Sequence, residues 1–303
     1  MIQVYRKMEW CSSIEFNSIC VLECHQLLEN TPMSSVLERT LGILELLSQQ
    51  GQGMELAALA EQLNMPKSAA HRLLADLVRY GYVRQARDMG EYMLTTKLVS
   101  MGLTYLSKTG VVDVAQPLID RLAEQTGELV RLSVVDGDRL TWVARAQGAR
   151  QGLRYDPDMG SIARLSCSSS GLAWLSTLSD DDALAMVSRQ GLGMPHEFGP
   201  NAPASLKAFL DALHDTRARG CAITEETYTA GLNAMAAPVR LNGQTPMGTL
   251  SIAGPSARLT RNRMQALGED LLACAAQLAA ASSASPLLSR GPEATHLQPI
   301  YAA

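Results

Sequence analysis

Placed on a helical wheel at about 100° per residue, the stretch Lys67 to Leu77 divides into two faces. Ala69, Ala70, Leu73, Leu74 and Leu77 fall on one side, and Lys67, Ser68, His71, Arg72 and Ala75 on the other. Such a helix must bury its apolar side and present a polar, basic surface built on small residues. Asn64 and Met65 make a turn ahead of it. Pro66 then reads as the first helical residue, where the N–H that proline lacks would have no partner.

Two more helices precede this one. From Ser34, the residues Val36, Leu37, Leu41, Ile43, Leu44 and Leu47 recur at three- and four-residue steps, which predicts an amphipathic helix capped by serine and ended by Gly51-Gln52-Gly53. Leu56, Leu59, Ala60 and Leu63 share one face of a shorter second helix. After Gly81, "YVRQ" and "EYMLT" alternate around Arg87-Asp88-Met89-Gly90 and predict a hairpin with a four-residue turn. Three helices and a hairpin over residues 33–95 make a winged helix-turn-helix.

The charge is not spread evenly. The chain carries a net charge of -4, and in residues 33–63 four glutamates (Glu38, Glu45, Glu55, Glu61) face one arginine, Arg39. In residues 64–87, Lys67, Arg72, Arg79, Arg84 and Arg87 face only Asp76. Positive potential therefore gathers on the third helix and the hairpin, where a footprint for double-stranded DNA belongs. Basic residues on an amphipathic helix are most often a solvated face. Here they coincide with a proline-started third helix and a wing, and that conjunction favours DNA. In the major groove, Lys and Arg reach guanine or phosphate, and hydroxyl and imidazole groups add hydrogen bonds. The DNA-binding candidates are Lys67, Ser68, His71, Arg72, Arg79, Arg84 and Arg87.

Length and composition set the rest of the frame. A 303-residue chain with 47% hydrophobic residues is expected to form about two domains. No run approaches the roughly 18 apolar residues of a membrane span, and the N-terminus lacks the pattern of a secretory signal, so no membrane partner is expected and the cytoplasm is the expected location. Cys11, Cys20, Cys24, Cys167, Cys221 and Cys274 are scattered, and only Cys20, Cys24 and His25 cluster, without a second ligand pair at zinc-site spacing. No metal and no cofactor are expected. Residues 1–32 match no strong period and read as a loose extension or a mis-assigned start, and residues 283–303, rich in Ser, Pro and Ala, as a disordered tail.

Beyond the hairpin, Thr95 and Thr96 can cap a linker helix over residues 96–109, with Leu98, Met101, Gly102 and Tyr105 at i, i+3, i+4 and i+7. Residues 110–282 then mix elements: a helix from Val112 to Gln125, a hairpin of "LVRLSVV" and "RLTWVARA" turning at Asp136-Gly137-Asp138, and helices near 180–190 and 204–219. "CAITEET" reads as a strand. "AMAAPVRL" and "MGTLSIAG" read as a second hairpin through Asn242-Gly243, closed by a helix from Thr260 to about Ala281. Hairpins flanked by helices give an α+β domain with an antiparallel sheet. Pro238 within a strand pattern suggests an edge or bulge, and Trp142 and Met235 are expected in the core.

The stretch "MPKSAAHRLLADLVRYGYV" resembles the recognition-helix region of the isocitrate lyase regulator (IclR) family of bacterial transcription factors, with its Pro-Lys-Ser start, Arg-Leu-Leu core and Gly-Tyr-Val exit. The resemblance extends to about residue 280. It implies a GAF-like effector-binding domain after the linker, a small organic or aromatic acid as effector, and a homodimer or dimer of dimers paired through Leu98, Met101 and Tyr105. Two recognition helices would then meet a pseudo-palindromic operator.

The resemblance also implies a pocket. The family pattern Pro-Leu-His-Ala, a small polar run and Gly-Lys-Ala falls on Arg164-Leu165-Ser166-Cys167, Ser168-Ser169-Ser170 and Gly171-Leu172-Ala173. Its effector-contacting loop carries over to Ser169 and Ser170, although taken without the family the serines read first as an ordinary helix cap. The sequence departs from the pattern at Arg164, Ser166 and Leu172, and a loop arginine can pair bidentately with a carboxylate. A second signature falls on Glu225-Glu226, Gly231-Leu232-Asn233-Ala234 and Ala236-Ala237-Pro238-Val239, with Asn233 and Ala234 in place of arginine and cysteine. By the same resemblance Thr224, Leu232, Ala234, Ser251 and Ala253 line the pocket.

Two other functions compete. A hydrolase would use the Ser166–Ser170 cluster, but the chain has no Gly-x-Ser-x-Gly, no Ser-x-x-Lys in the serine run and no His-Glu-x-x-His. A DNA-binding module without an effector would show binding that no metabolite alters. The expected protein is not an enzyme.

Overall fold

The computed structural model describes residues 35–86, 90–157, 160–193, 195–241 and 243–282. The expectations for residues 1–32 and 283–303, the Cys20/Cys24/His25 cluster and Arg87 lie outside the described residues. The chain forms two compact units, Met1–Leu103 and Thr104–Ala303.

In the first unit, α1 (Val36–Ser48) starts on a capping box in which the Ser35 hydroxyl accepts from the Glu38 N–H and the Glu38 carboxylate reaches back to the Ser35 N–H. α2 (Leu56–Gln62) and α3 (Lys67–Arg79) are joined by a turn in which Asn64 adopts a φ of 46°. Pro66 is the N-cap of α3, one position earlier than expected, with extended backbone (φ -60°, ψ 138°). β1 (Val83–Gln85) and β2 (Tyr92–Leu94) pair antiparallel, with Val83 opposite Leu94. The core is Ile43, Leu47, Leu59, Ala60, Ala70, Leu73, Leu74, Leu77, Val83 and Tyr92. One expectation fails here. Val36, Leu37 and Leu41 of α1 are 67%, 67% and 48% exposed, because only the second half of that helix lies over the core formed by α2, α3 and the wing.

α4 (Lys97–Thr109) and α5 (Val111–Thr126) follow, and then the hairpin β3 (Leu129–Asp136) and β4 (Arg139–Gln147). α6 (Ser169–Leu175), α7 (Asp180–Gln190) and α8 (Leu206–Arg219) lead to β5 (Ala222–Glu225), β6 (Leu232–Val239) and β7 (Gly248–Pro255). The five strands form one antiparallel sheet in the order β4-β3-β7-β6-β5. α9 (Arg261–Ala266) and α10 (Gly268–Ala281) complete the unit. They replace the single helix expected from Thr260, which caps α9.

One local expectation changes as well. β6 is an internal strand, so Pro238 is not at the sheet edge as such. β5 pairs only with Asn233–Ala236, however, and leaves Pro238 matched to Thr249 of β7 alone. The second hairpin forms, β6 against β7, with its ladder ending where Val239 pairs with Gly248, and within the connection the Gln244 N–H donates to the Leu241 carbonyl at 3.0 Å.

The sheet packs on both faces. On one, Val130, Leu132, Met235, Leu250 and Ile252 join Ile119, Leu122, Leu271 and Leu278 of α5 and α10 in the largest cluster of buried side chains. On the other, Trp142, Ala222 and Ala236 meet Leu172, Ala173, Trp174 and Leu175 of α6, together with Phe209 and Leu213 of α8. Fully burying each Leu- or Phe-sized side chain contributes about 1.5–3 kcal/mol.

Candidate DNA-reading helix and effector site

The basic helix does what its wheel required. Ala70, Leu73, Leu74 and Leu77 are buried, while Lys67, Ser68, His71, Arg72 and Ala75 are exposed. Arg79 leaves this row: it pairs with Asp76 at 3.2 Å and lies over the Tyr80 ring at 4.8 Å. Arg84 is exposed on β1. The wing is tied to the helices at its base, where Met54 and Tyr92 exchange backbone hydrogen bonds (2.9 and 2.8 Å) and the Thr95 hydroxyl donates to the Gly81 carbonyl at 2.6 Å. Lys97 donates to the Tyr80 carbonyl at 2.7 Å and sits over the Tyr82 ring.

Along α4, Val99, Met101, Leu103 and Tyr105 are 59%, 53%, 62% and 57% exposed, and Leu98 is half-buried. The Tyr82 hydroxyl reaches the Met101 Sδ at 3.8 Å.

In the second unit the serine run splits by role. Ser168 is the N-cap of α6: its hydroxyl accepts from the Gly171 N–H at 3.0 Å and donates to the Arg164 carbonyl at 2.6 Å. Gly171 has to be glycine, because a Cβ there would stand 2.5 Å from the Leu165 backbone. Ser169 and Ser170 are buried in the first turn. Cys167 beside them is buried, and its thiol is pushed up to about 11 by desolvation. The Thr227 hydroxyl donates to the Cys167 carbonyl at 2.6 Å and so ties the second signature to the first.

Cross-strand register puts the other candidates together. Directly opposed residues share a sheet face. The rows Thr224–Ala234–Ala253–Leu129 and Ala222–Ala236–Ser251–Arg131 both lie on the face packed by α6, and Leu232 continues it. The face is therefore lined by small and hydroxyl-bearing residues next to Ser169 and Ser170. The acidic pair takes no part in it. Glu225 pairs with Arg261, and Glu226, at a φ of 52°, accepts from the Gly231 N–H at 2.8 Å. Asn233, where the family pattern has arginine, spends its amide on the Leu259 carbonyl at 3.0 Å. Arg164 donates to the Gln190 carbonyl at 2.9 Å and lies 5.3 Å from the Phe198 ring.

What the sequence reading missed is Arg131, only 5% exposed, with its guanidinium 3.9 Å from the Trp142 ring and 5.6 Å from the Tyr155 ring. Tyr228 meets Trp142 edge-on at 6.4 Å, and Phe198 lies 6.1 Å from Tyr228. Desolvation pulls the Arg131 guanidinium below its ordinary value, with Tyr155 and Tyr228 acting against it, and burial raises both tyrosines. A signal was present: "LVRLSVV" places one arginine in an otherwise apolar strand. Nothing in sequence brings Tyr155, Phe198 and Tyr228 to it. Among the described residues no three His, Cys, Asp or Glu side chains form a metal-holding group, and no helix is long and apolar enough to cross a membrane.

A winged helix-turn-helix with an exposed basic helix, followed by an α+β unit with an antiparallel sheet, defines a DNA-binding transcriptional regulator. Residues 103–280 match the family model described as bacterial transcriptional regulator IclR C-terminal, and residues 36–87 match the IclR helix-turn-helix domain. The chain belongs to the IclR family. It is 29% identical over 243 residues to the acetate operon repressor of Salmonella typhimurium, covering 80% of this chain and 88% of that one. Its fold is similar to that of an IclR transcriptional regulator from Alicyclobacillus acidocaldarius (TM-score 0.70, 22% identity, 82% of this chain and 98% of that one). It is also similar to an IclR homologue from Microbacterium hydrocarbonoxydans in complex with 4-hydroxybenzoate (TM-score 0.69, 20% identity, 83% and 100%).

Proposed function

We propose that this protein is a ligand-responsive transcriptional regulator that binds a pseudo-palindromic operator as a dimer or dimer of dimers and senses a small organic acid in its C-terminal unit. The observation that carries DNA reading is the outward row Lys67, Ser68, His71 and Arg72 on α3, set against the buried Ala70, Leu73, Leu74 and Leu77. Ser68 and His71 offer hydrogen bonds to base edges, Lys67 and Arg72 reach guanine or phosphate, and Arg84 and Arg87 serve the wing. Repression is the favoured direction, since the acetate operon repressor is a repressor by name.

Self-association rests on α4. Met101 and Tyr105, exposed on one side of the helix, are apolar surface that one protomer leaves uncovered, with Val99 and Leu103 exposed on the other side, and pairing through Met101 and Tyr105 would hold two α3 helices for two half-sites. The effector reading rests on the buried hydroxyl-bearing Ser169 and Ser170 of α6 beside the small-residue face of Thr224, Leu232, Ala234, Ser251 and Ala253, and on the bound aromatic acid of the Microbacterium homologue. Residues 96–109 are the element we assign to coupling, typically worth about 1–3 kcal/mol.

Fluorescence anisotropy on DNA from upstream of the protein's own gene, titrated in salt with and without a panel of organic acids, tests the reading. Specific, salt-sensitive binding that one acid shifts supports it; binding no tighter than to scrambled DNA counts against it.

A further inference from the structure

We propose that Arg131 anchors the carboxylate of an aromatic acid bound on the small-residue face of the sheet, with Trp142, Tyr155 and Tyr228 walling its ring. The proposal rests on the reading that the C-terminal unit takes a small acid, and adds which residue selects it and what kind of acid fits.

Two buried side-chain donors lack a hydrogen-bond partner among the described residues, the Arg131 Nε and the Trp142 Nε1. They belong to side chains stacked at 3.9 Å. A buried donor left unpaired costs about 1–3 kcal/mol, so two in contact ask for an acceptor that the described protein atoms do not supply. A carboxylate has two oxygens, and a guanidinium is a planar fork that matches them.

The contrast within the same unit sharpens the point. Glu128, also buried, is held by Arg258 at 2.6 Å, whereas Arg131 makes no ion pair among the described residues. Arg145, opposite Arg131 on β4, is engaged with Asp156 at 2.7 Å. Arg164, the arginine that the sequence nominated for this role, spends an N–H on a backbone carbonyl.

The surroundings say what the acid carries. Trp142, Tyr155 and Tyr228 offer ring faces and edges within stacking distance of one another or of the guanidinium, and aromatic pairs favour offset or edge-on partners at such separations. The residues opposite Arg131 along the register, Ser251 and Ala236, are small. A planar acid fits this composition better than a short aliphatic one, which has no ring to stack among them.

The test is calorimetric titration of the full chain with benzoate, uncharged benzamide and acetate, alongside release of operator DNA by each. Benzoate is expected to bind at least about tenfold more tightly than benzamide or acetate. Arg131→Met should weaken benzoate at least about tenfold while leaving operator affinity unchanged, Trp142→Phe should weaken it about threefold, and Arg164→Met should leave it within about twofold. Benzamide binding as well as benzoate, or Arg131→Met binding like the parent, overturns the proposal and leaves the effector reading standing. So does release of the operator by acetate alone. An operator complex that responds to none of the three and to no other metabolite overturns both. If Arg131→Met fails to fold, the preference of the unaltered protein for acid over amide and the Trp142→Phe variant decide.

Discussion

Glu128, buried to 1% exposure, accepts from Arg258 at both carboxylate oxygens, Nε to Oε1 at 2.6 Å and Nη2 to Oε2 at 2.7 Å. The pair joins the start of β3 to the segment after β7, and Arg263 adds a longer contact at 3.8 Å. Gly254 makes room for it, since a Cβ there would lie 2.4 Å from Oε2. Removing one partner of a buried pair costs more than the pair contributes, because the other charge stays behind. Arg258→Ala is expected to destabilise by about 3 kcal/mol, more than Glu128→Gln, which strands only the partly solvated arginine. Urea unfolding followed by circular dichroism ranks the two variants.

The double substitution Lys67→Ala/Arg72→Ala removes two cations from the exposed face of α3 and touches no core residue. Operator affinity should fall at least about tenfold and the slope of log affinity against log salt should shrink by about 1–2, with thermal stability unchanged. Anisotropy at several salt concentrations reads both.

Asp76 and Arg79 are 55% and 68% exposed, so their ion pair adds little to stability. Asp76→Asn removes the one acid of residues 64–87. It is expected to raise affinity for DNA about two- to threefold at low salt, an effect that fades as salt rises.

Gly171→Ala drives a methyl into the Leu165 backbone and breaks the turn that seats Ser168, Ser169 and Ser170. Overpacking of this sort costs about 1–3 kcal/mol. The effector response should be lost at temperatures where DNA binding survives, which anisotropy with and without benzoate would show.

Cys167 titrates near 11 in the folded chain against an ordinary value of 9.0, so the fold favours the protonated thiol. That contribution is intact below about pH 9 and is lost as the pH rises towards 11, because the unfolded chain gives up its proton first. Alkylation of Cys167, followed by peptide mass spectrometry, should be slow at pH 8 in the native protein and fast once urea unfolds it.

The helix-turn-helix was legible because its signals are local. Apolar spacing, Pro66 and the cations from Lys67 to Arg84, set against Asp76 alone, each act within a few turns of chain. The same local reading erred on Val36, Leu37 and Leu41, where spacing promised a core face that one protomer does not supply. For the C-terminal unit, alternation located the strands of both hairpins, and resemblance supplied the loop at Ser169 and Ser170.

Sequence by itself determined the order of helices and strands and which surface is positive, since these follow from backbone propensity, periodicity and charge, though it merged α9 and α10 into one helix. Only the tertiary structure decided that Thr224, Ala234, Ser251 and Ala253 share one sheet face, because register between strands distant in the chain is set by packing on both sides of the sheet. It also decided that Arg131, in an apolar strand, stacks on Trp142 next to Tyr155 with its Nε unpaired. A buried charge acquires its meaning from its neighbours, and Trp142, Tyr155 and Tyr228 come from three separate segments of the chain.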